Sequence, residues 1–244
     1  MKKIVAIGGG EIGRPGYSIE TLKIDKEIIR LSGKKRPRFL FIPTASLDAD
    51  DYVKVVNSYF GNKLGCVIDV LYLVNKKISY QEIKNKILNS DIIYVGGGNT
   101  LKMLKLWREL GVDKILTVAY KKGIVLSGVS AGAICWFKFG HSDSRKFNNR
   151  NAAYIKVKGL DFINALVCPH YNIEKDRKKS LNDIMKKEKT FGIALDNCAA
   201  LEIIDDKYRI IISKPKASAY KVYWQEGRYY EEKIKNGSFF LMKS

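Results

Sequence analysis

The chain has 244 residues, 46% of them hydrophobic and 28% charged, with a formal net charge of +19. That balance describes a globular chain with enough apolar material for a core and excludes disordered or fibrous classes, and no apolar stretch is long enough to span a membrane. The excess charge is mostly lysine spread over predicted helix faces and loops, with no nucleic-acid-binding motif, so neither nucleic acid nor membrane is expected as a partner, although the charge can attract acidic substrates.

The first apolar run, Lys3–Ile7, ends at Gly8-Gly9-Gly10. It is too short for a signal h-region and reads as a first strand, so the default location is cytoplasmic. Gly8-Gly9-Gly10-Glu11-Ile12-Gly13 matches the dinucleotide pattern G-x-G-x-x-G. Pro15 and Gly16 follow where a phosphate-binding helix would already run, and the second strand, Arg38–Ile42, ends without an acidic residue to hold a ribose. The motif is therefore a decoy. Further strands are expected at residues 67–72, Ile92–Val95, residues 124–126 and residues 166–168. Helices are expected between them at residues 18–31, 49–60, Tyr80–Leu88, Thr100–Glu109 and residues 113–121. Apolar strands alternating with helices predict an α/β fold, a mostly parallel sheet with helices on both faces. Beyond a lysine-rich helix at residues 174–187, short strands are expected at Gly192–Leu195, Ala199–Ile204 and residues 208–213, 220–225, 229–234 and 238–242. They read as an antiparallel extension of one sheet edge. No repeat or linker interrupts the chain, so residues 1–244 are expected to form a single domain. The four cysteines lie far apart without a CxxC spacing, which argues against zinc and against a disulfide framework.

Chemistry concentrates at the carboxyl ends of the predicted strands, where open α/β sheets place their sites. Gly128-Val129-Ser130-Ala131-Gly132 joins a strand to a helix start at residues 133–137, the layout of a nucleophile elbow. The flanking glycines permit the sharp turn, and the Ala131 amide at the helix N-terminus faces any oxyanion that forms. Gly96-Gly97-Gly98-Asn99 offers a second amide donor. Asn99 can meet a substrate there or cap the following helix. Only two histidines can serve as base: His170, after the apolar segment 165–169, and His141, in a polar loop after the nucleophile helix. His170 is preferred, with Asp143 to orient it. Glu174, Asp196 and Glu202 are the other carboxylates considered.

Gly96-Gly97-Gly98-Asn99-Thr100, Ser130-Ala131-Gly132-Ala133 and Cys168-Pro169-His170-Tyr171 together resemble the peptidase E family of serine peptidases, which includes α-aspartyl dipeptidases and, more distantly, cyanophycinases. The similarity runs from about Ile4 to Leu201. It implies a fold like that of class I glutamine amidotransferases, with Ser130 where those enzymes carry cysteine. It further implies Ser130 as nucleophile, His170 as base and the Gly98 and Ala131 amides as oxyanion hole. Asp143 matches the dipeptidases' aspartate after a small gap; no glutamate, which other relatives use, lies between Ser130 and His170. Arg177, seven residues after His170, falls where the dipeptidases place an arginine that reads the substrate's aspartate. The implied substrate is a short peptide, including dipeptides with N-terminal Asp, cleaved through an acyl-enzyme without metal or organic cofactor. Self-association as a homodimer is compatible with this reading. The alternatives are a non-catalytic ligand-binding or regulatory protein of the same fold, and an esterase or cyanophycinase-like hydrolase; an amidotransferase is disfavoured by the missing thiol.

Overall fold

The structure is a computed structural model and describes residues 1–173, 175–188 and 190–241. Its elements follow the apolar runs in chain order: β1 (Lys3–Ile7), α1 (Leu22–Leu31), β2 (Arg38–Ile42), α2 (Asp50–Val56), β3 (Val67–Val70), α3 (Tyr80–Leu88), β4 (Ile92–Val95), α4 (Thr100–Glu109), α5 (Val112–Lys122) and β5 (Val125–Val129). After these come α6 (Ala131–Ile134), β6 (Phe137–Ser142), β7 (Ile155–Lys158), β8 (Ile163–Cys168), α7 (Lys175–Met185), β9 (Gly192–Leu195), β10 (Ala199–Ile204), β11 (Lys207–Ile212), β12 (Ala219–Gln225), β13 (Arg228–Lys233) and β14 (Phe240–Leu241).

Among the described residues the strands form two sheets. The first has the order β14-β11-β10-β1-β5-β4-β2-β3. Its half from β1 to β3 is parallel, and β10 lies antiparallel to β1, with Val5 opposite Glu202. Both faces of the parallel half are covered. Leu40, Ile42, Ile93 and Val95 pack with Met103, Trp107 and Leu116 from α4 and α5, whereas Val5, Phe39, Phe41 and Tyr94 pack with Ile24, Ile28 and Val56 from α1 and α2. Burying one such side chain contributes about 1.5–3 kcal/mol, so the alternation fixes which helix covers which face. The fold is thus α/β, with helices on both sides of a sheet. No helix among the described residues is long and apolar enough to cross a membrane.

The second sheet runs β13-β12-β9-β8-β6-β7. In it β8 lies parallel to both β6 and β9. Ile163, Ala165, Val167 and Ile193 face the same apolar cluster that covers the first sheet. Leu181 and Met185 of α7 cover the opposite face. The tail therefore divides. β10, β11 and β14 extend the first sheet, as expected of an antiparallel edge, but β9, β12 and β13 build the second. The tail passes between the sheets at residues 196–198, from β9 to β10, and again from β11 to β12 and from β13 to β14.

Other boundaries also moved. α1 begins at Leu22 rather than Ser18, because Glu20 donates its amide to Glu11 O and Ile19 bridges Ile12. The helix expected from Ala133 stops at Ile134, and β6 starts at Phe137. Residues 134–139 are largely apolar, a run whose period cannot separate helix from strand; pairing with β8 decides. His141 accordingly lies in β6 and is fully buried, not in a polar loop. The predicted strand 238–242 reduces to Phe240–Leu241; Met242 lies outside the described residues.

The reversal from α6 into β6 is closed by Gly159. A Cβ there would lie 2.2 Å from Phe137 O and 2.9 Å from Ile134 O. Backbone atoms cannot yield as a side-chain tip can. Gly159→Ala is expected to destabilise the chain by about 1–3 kcal/mol, read as a lower urea midpoint. An unchanged midpoint would mean that this turn does not constrain the second sheet.

Candidate active site

Ser130 stands at the end of β5 with φ 57° and ψ −109°, a conformation that costs a non-glycine residue about 1–3 kcal/mol. Its surroundings enforce it. The Ser130 amide donates to Ile7 O at 3.0 Å, and its carbonyl accepts from Ala133 and Ile134 at 2.9 and 3.0 Å. The flanking glycines are required by close backbone approach: a Cβ on Gly128 would lie 2.5 Å from Gly132 O, and one on Gly132 would lie 2.1 Å from Val95 O. Ala131 opens α6, so its N–H has no acceptor within that helix.

His170 follows β8 and also has a positive φ, 55°. Its amide donates to Gly8 O at 3.0 Å. The ring lies between two partners: Nε2 is 2.8 Å from Ser130 Oγ, and Nδ1 is 2.7 Å from Asn197 Oδ1. A carbonyl oxygen only accepts, so the ring proton sits on Nδ1 and Nε2 is left to accept the Ser130 hydroxyl. Burial pushes the His170 pKa below its ordinary value; the Asn197 hydrogen bond opposes that, the Arg177 charge adds to it, and Asp143 opposes it. The imidazole is therefore neutral at neutral pH, the form a base requires.

The loop 96–99 lies beside the serine. A Cβ on Gly97 would be 3.5 Å from Ser130 Cβ. Gly98 has φ 137°, and a Cβ there would lie 2.2 Å from Ala45 O, so only glycine fits. Asn99 does not present its side chain to this space. Its Oδ1 accepts from the Lys102 amide at 3.0 Å, capping α4, and its Nδ2 donates to Ser144 O at 3.0 Å. The cap, rather than the substrate contact, is what the geometry favours.

Asp143 does not take the place expected of it. That hydrogen bond to His170 is made by Asn197, and the Asp143 carboxylate lies 3.9 Å from Arg177 Nη2. Of the other carboxylates, Asp196 accepts from the Ser218 amide, Glu202 is paired with Arg209, and Glu174 lies outside the described residues. Arg177 is covered, at 1% exposure, with its guanidinium 4.7 Å from the centre of the Tyr154 ring. It therefore acts on the site by its field more readily than by an open fork. His141 is held 3.0 Å from Ser180 Oγ, and burial pushes its pKa down to about 3.

Asn197 is not among the residues expected from the sequence, and Gly9, which makes room for it, belongs to the glycine cluster read there as a decoy motif. A Cβ on Gly9 would lie 2.1 Å from Asn197 Oδ1 and 2.5 Å from His170 Nδ1. The signal was present, since Asn197 comes two residues after β9, another strand carboxyl end. An asparagine carries no charge, so it does not stand out in the sequence as the partner of a histidine.

The family model for Peptidase family S51 matches residues 4–211. The uncharacterized peptidase YgaJ of Bacillus subtilis is 39% identical over 230 residues, spanning 93% of this chain and 94% of its own. Peptidase E of Escherichia coli is 33% identical over 96 residues, spanning 38% of this chain and 39% of its own. Among solved structures, a peptidase from an acI-B1 actinobacterium superposes with a TM-score of 0.74 at 19% identity, over 99% of this chain and 97% of that one. A putative peptidase E protein from Listeria monocytogenes gives a TM-score of 0.66 at 19% identity, over 88% and 100%. These two likenesses are of fold, and the match over residues 4–211 decides the family: the chain belongs to Peptidase family S51.

Proposed function

We propose that the chain is a serine peptidase of short peptides, in which Ser130 is the nucleophile and His170 the base. The 2.8 Å contact between Ser130 Oγ and His170 Nε2 carries this reading. Ser130 Oγ attacks the scissile carbonyl while its proton passes to Nε2. The tetrahedral oxyanion forms against the Gly98 and Ala131 amides. Collapse expels the amine with the proton from His170 and leaves an acyl-enzyme, which water hydrolyses by the same proton transfers. A second reading, a non-catalytic binding protein of this fold, is favoured only by Asn197, rather than a carboxylate, meeting His170 Nδ1 among the described residues.

A fluorophosphonate probe separates the two. It is expected to label Ser130, and Ser130→Ala is expected to keep the fold while losing at least about a thousandfold in peptidase kcat/KM. An unlabelled serine, or near-normal turnover by the variant, removes the mechanism.

The sign of the pH dependence follows from burial. A lowered pKa means that His170 takes up its proton only at more acid pH, so the acid limb of kcat/KM is expected to have its midpoint below 6.5, the ordinary histidine value. A midpoint above 6.5 would contradict a desolvated base.

We further infer a preference for peptides with N-terminal aspartate. Arg177 supports it, since the cation that depresses the His170 pKa also favours a substrate carboxylate nearby. Asp-Leu is expected to be cleaved with a higher kcat/KM than Asn-Leu or Ala-Leu, with little dependence on salt because Arg177 is buried. Equal rates would leave the catalytic pair standing and remove the specificity.

A further inference from the structure

We propose that Asn197 is the positioning residue of His170, fixing the ring by a neutral hydrogen bond, while Asp143 acts on it only through space. The inference rests on the reading of Ser130 and His170 as nucleophile and base. Four observations converge on it. Asn197 Oδ1 is the partner of Nδ1, at 2.7 Å. The half-buried side chain reaches the ring through space that only glycine leaves, since a Cβ on Gly9 would lie 2.1 Å from Asn197 Oδ1. Its backbone is tied on every side: the Asn197 amide donates to Asn172 Oδ1 at 3.0 Å, the Asp196 amide to Ser218 O at 3.0 Å, and the Cys198 amide to Gly9 O at 2.8 Å. Asp143, by contrast, lies beside the guanidinium of Arg177, 3.9 Å from Nη2.

A carboxylate behind a histidine does two jobs. It selects the tautomer, and it offsets the charge of the imidazolium that forms in the transition state. An amide oxygen does only the first. Among the described residues the charged groups acting on the ring are Arg177 from α7, which disfavours the imidazolium, and Asp143 from the segment after β6, which favours it. The base is correctly oriented but holds its proton weakly. Asparagine fills the third place in other hydrolases, where the nucleophile is a cysteine.

Imidazole NMR of the full chain tests this without relying on turnover. The sequence has two histidines, and His141, pushed down to about 3, stays out of the titration window. Neutral His170 is expected in the Nδ1–H form. Asn197→Asp, which keeps the shape, is expected to raise the His170 pKa by about 1 or more, and to move the acid limb of kcat/KM up with it. Asn197→Ala is expected to release the tautomer and to lower kcat about a hundredfold or more with KM little changed. Asp143→Asn is expected to keep the tautomer. The inference is overturned by an Nε2–H tautomer in the parent, by an unchanged pKa in Asn197→Asp, or by loss of the tautomer in Asp143→Asn. If Asn197→Ala does not fold, the isosteric variant decides alone. Failure of the wider reading looks different: Ser130 then escapes the fluorophosphonate probe, whatever the spectra give.

Discussion

Three consecutive carbonyls at the end of β1 hold the site together. Ile7 O accepts the amide of Ser130, Gly8 O that of His170, and Gly9 O that of Cys198, the residue after Asn197. Each segment that delivers a reacting or orienting side chain is hung on the same strand end. This works only if that end is bare. A Cβ on Gly8 would lie 2.3 Å from Asp196 O, and one on Gly9 would meet the Asn197 side chain. The glycine cluster that imitates a dinucleotide motif is therefore a clearance, cut so that two loops from another sheet can close over β1. Interior backbone groups must find partners, and here those partners also set the register of the site.

The arrangement stores strain and controls charge. Ser130 and His170 both adopt positive φ, and both are held there by backbone hydrogen bonds made before any substrate arrives. Such preorganisation lowers the reorganisation required during reaction. Burial keeps His170 neutral, and the nearby ion pair of Arg177 and Asp143 brings opposing charges toward it. The ring's basicity is thus a balance of burial, one neutral hydrogen bond and two charges of opposite sign. No single residue sets it.

The parallel half of the first sheet and the serine turn were legible because their signals are local. Uniform apolar runs mark strands buried on both faces, and glycines around a serine mark a turn that larger residues could not make. His170 was legible because few imidazoles compete. β6 was not, because residues 134–139 are apolar in either period and only β8 decides between them. Asn197 was hidden for a related reason. It meets His170 only because β9 in one sheet and β10 in the other bring the segment 196–198 against Gly9, a long-range fact of which its place after a strand end is the one local trace. Asp143 and Arg177 lie close to His170, where the family resemblance put them, yet they face each other, since a buried guanidinium beside a carboxylate is cheaper than either charge alone.

The proposed catalytic pair, Ser130 and His170, is divided between the two sheets. Ser130 ends a strand of the first, His170 ends a strand of the second, and Asn197 lies on the short segment that passes from one to the other. The 2.8 Å contact is therefore a measure of how the sheets are seated on each other. A slip of about 1 Å between them would leave every strand intact and still break the proton path. On the proposed mechanism, catalysis would act as a vernier on the alignment of the two sheets, sensitive to changes in the apolar layer they share, far from any substrate.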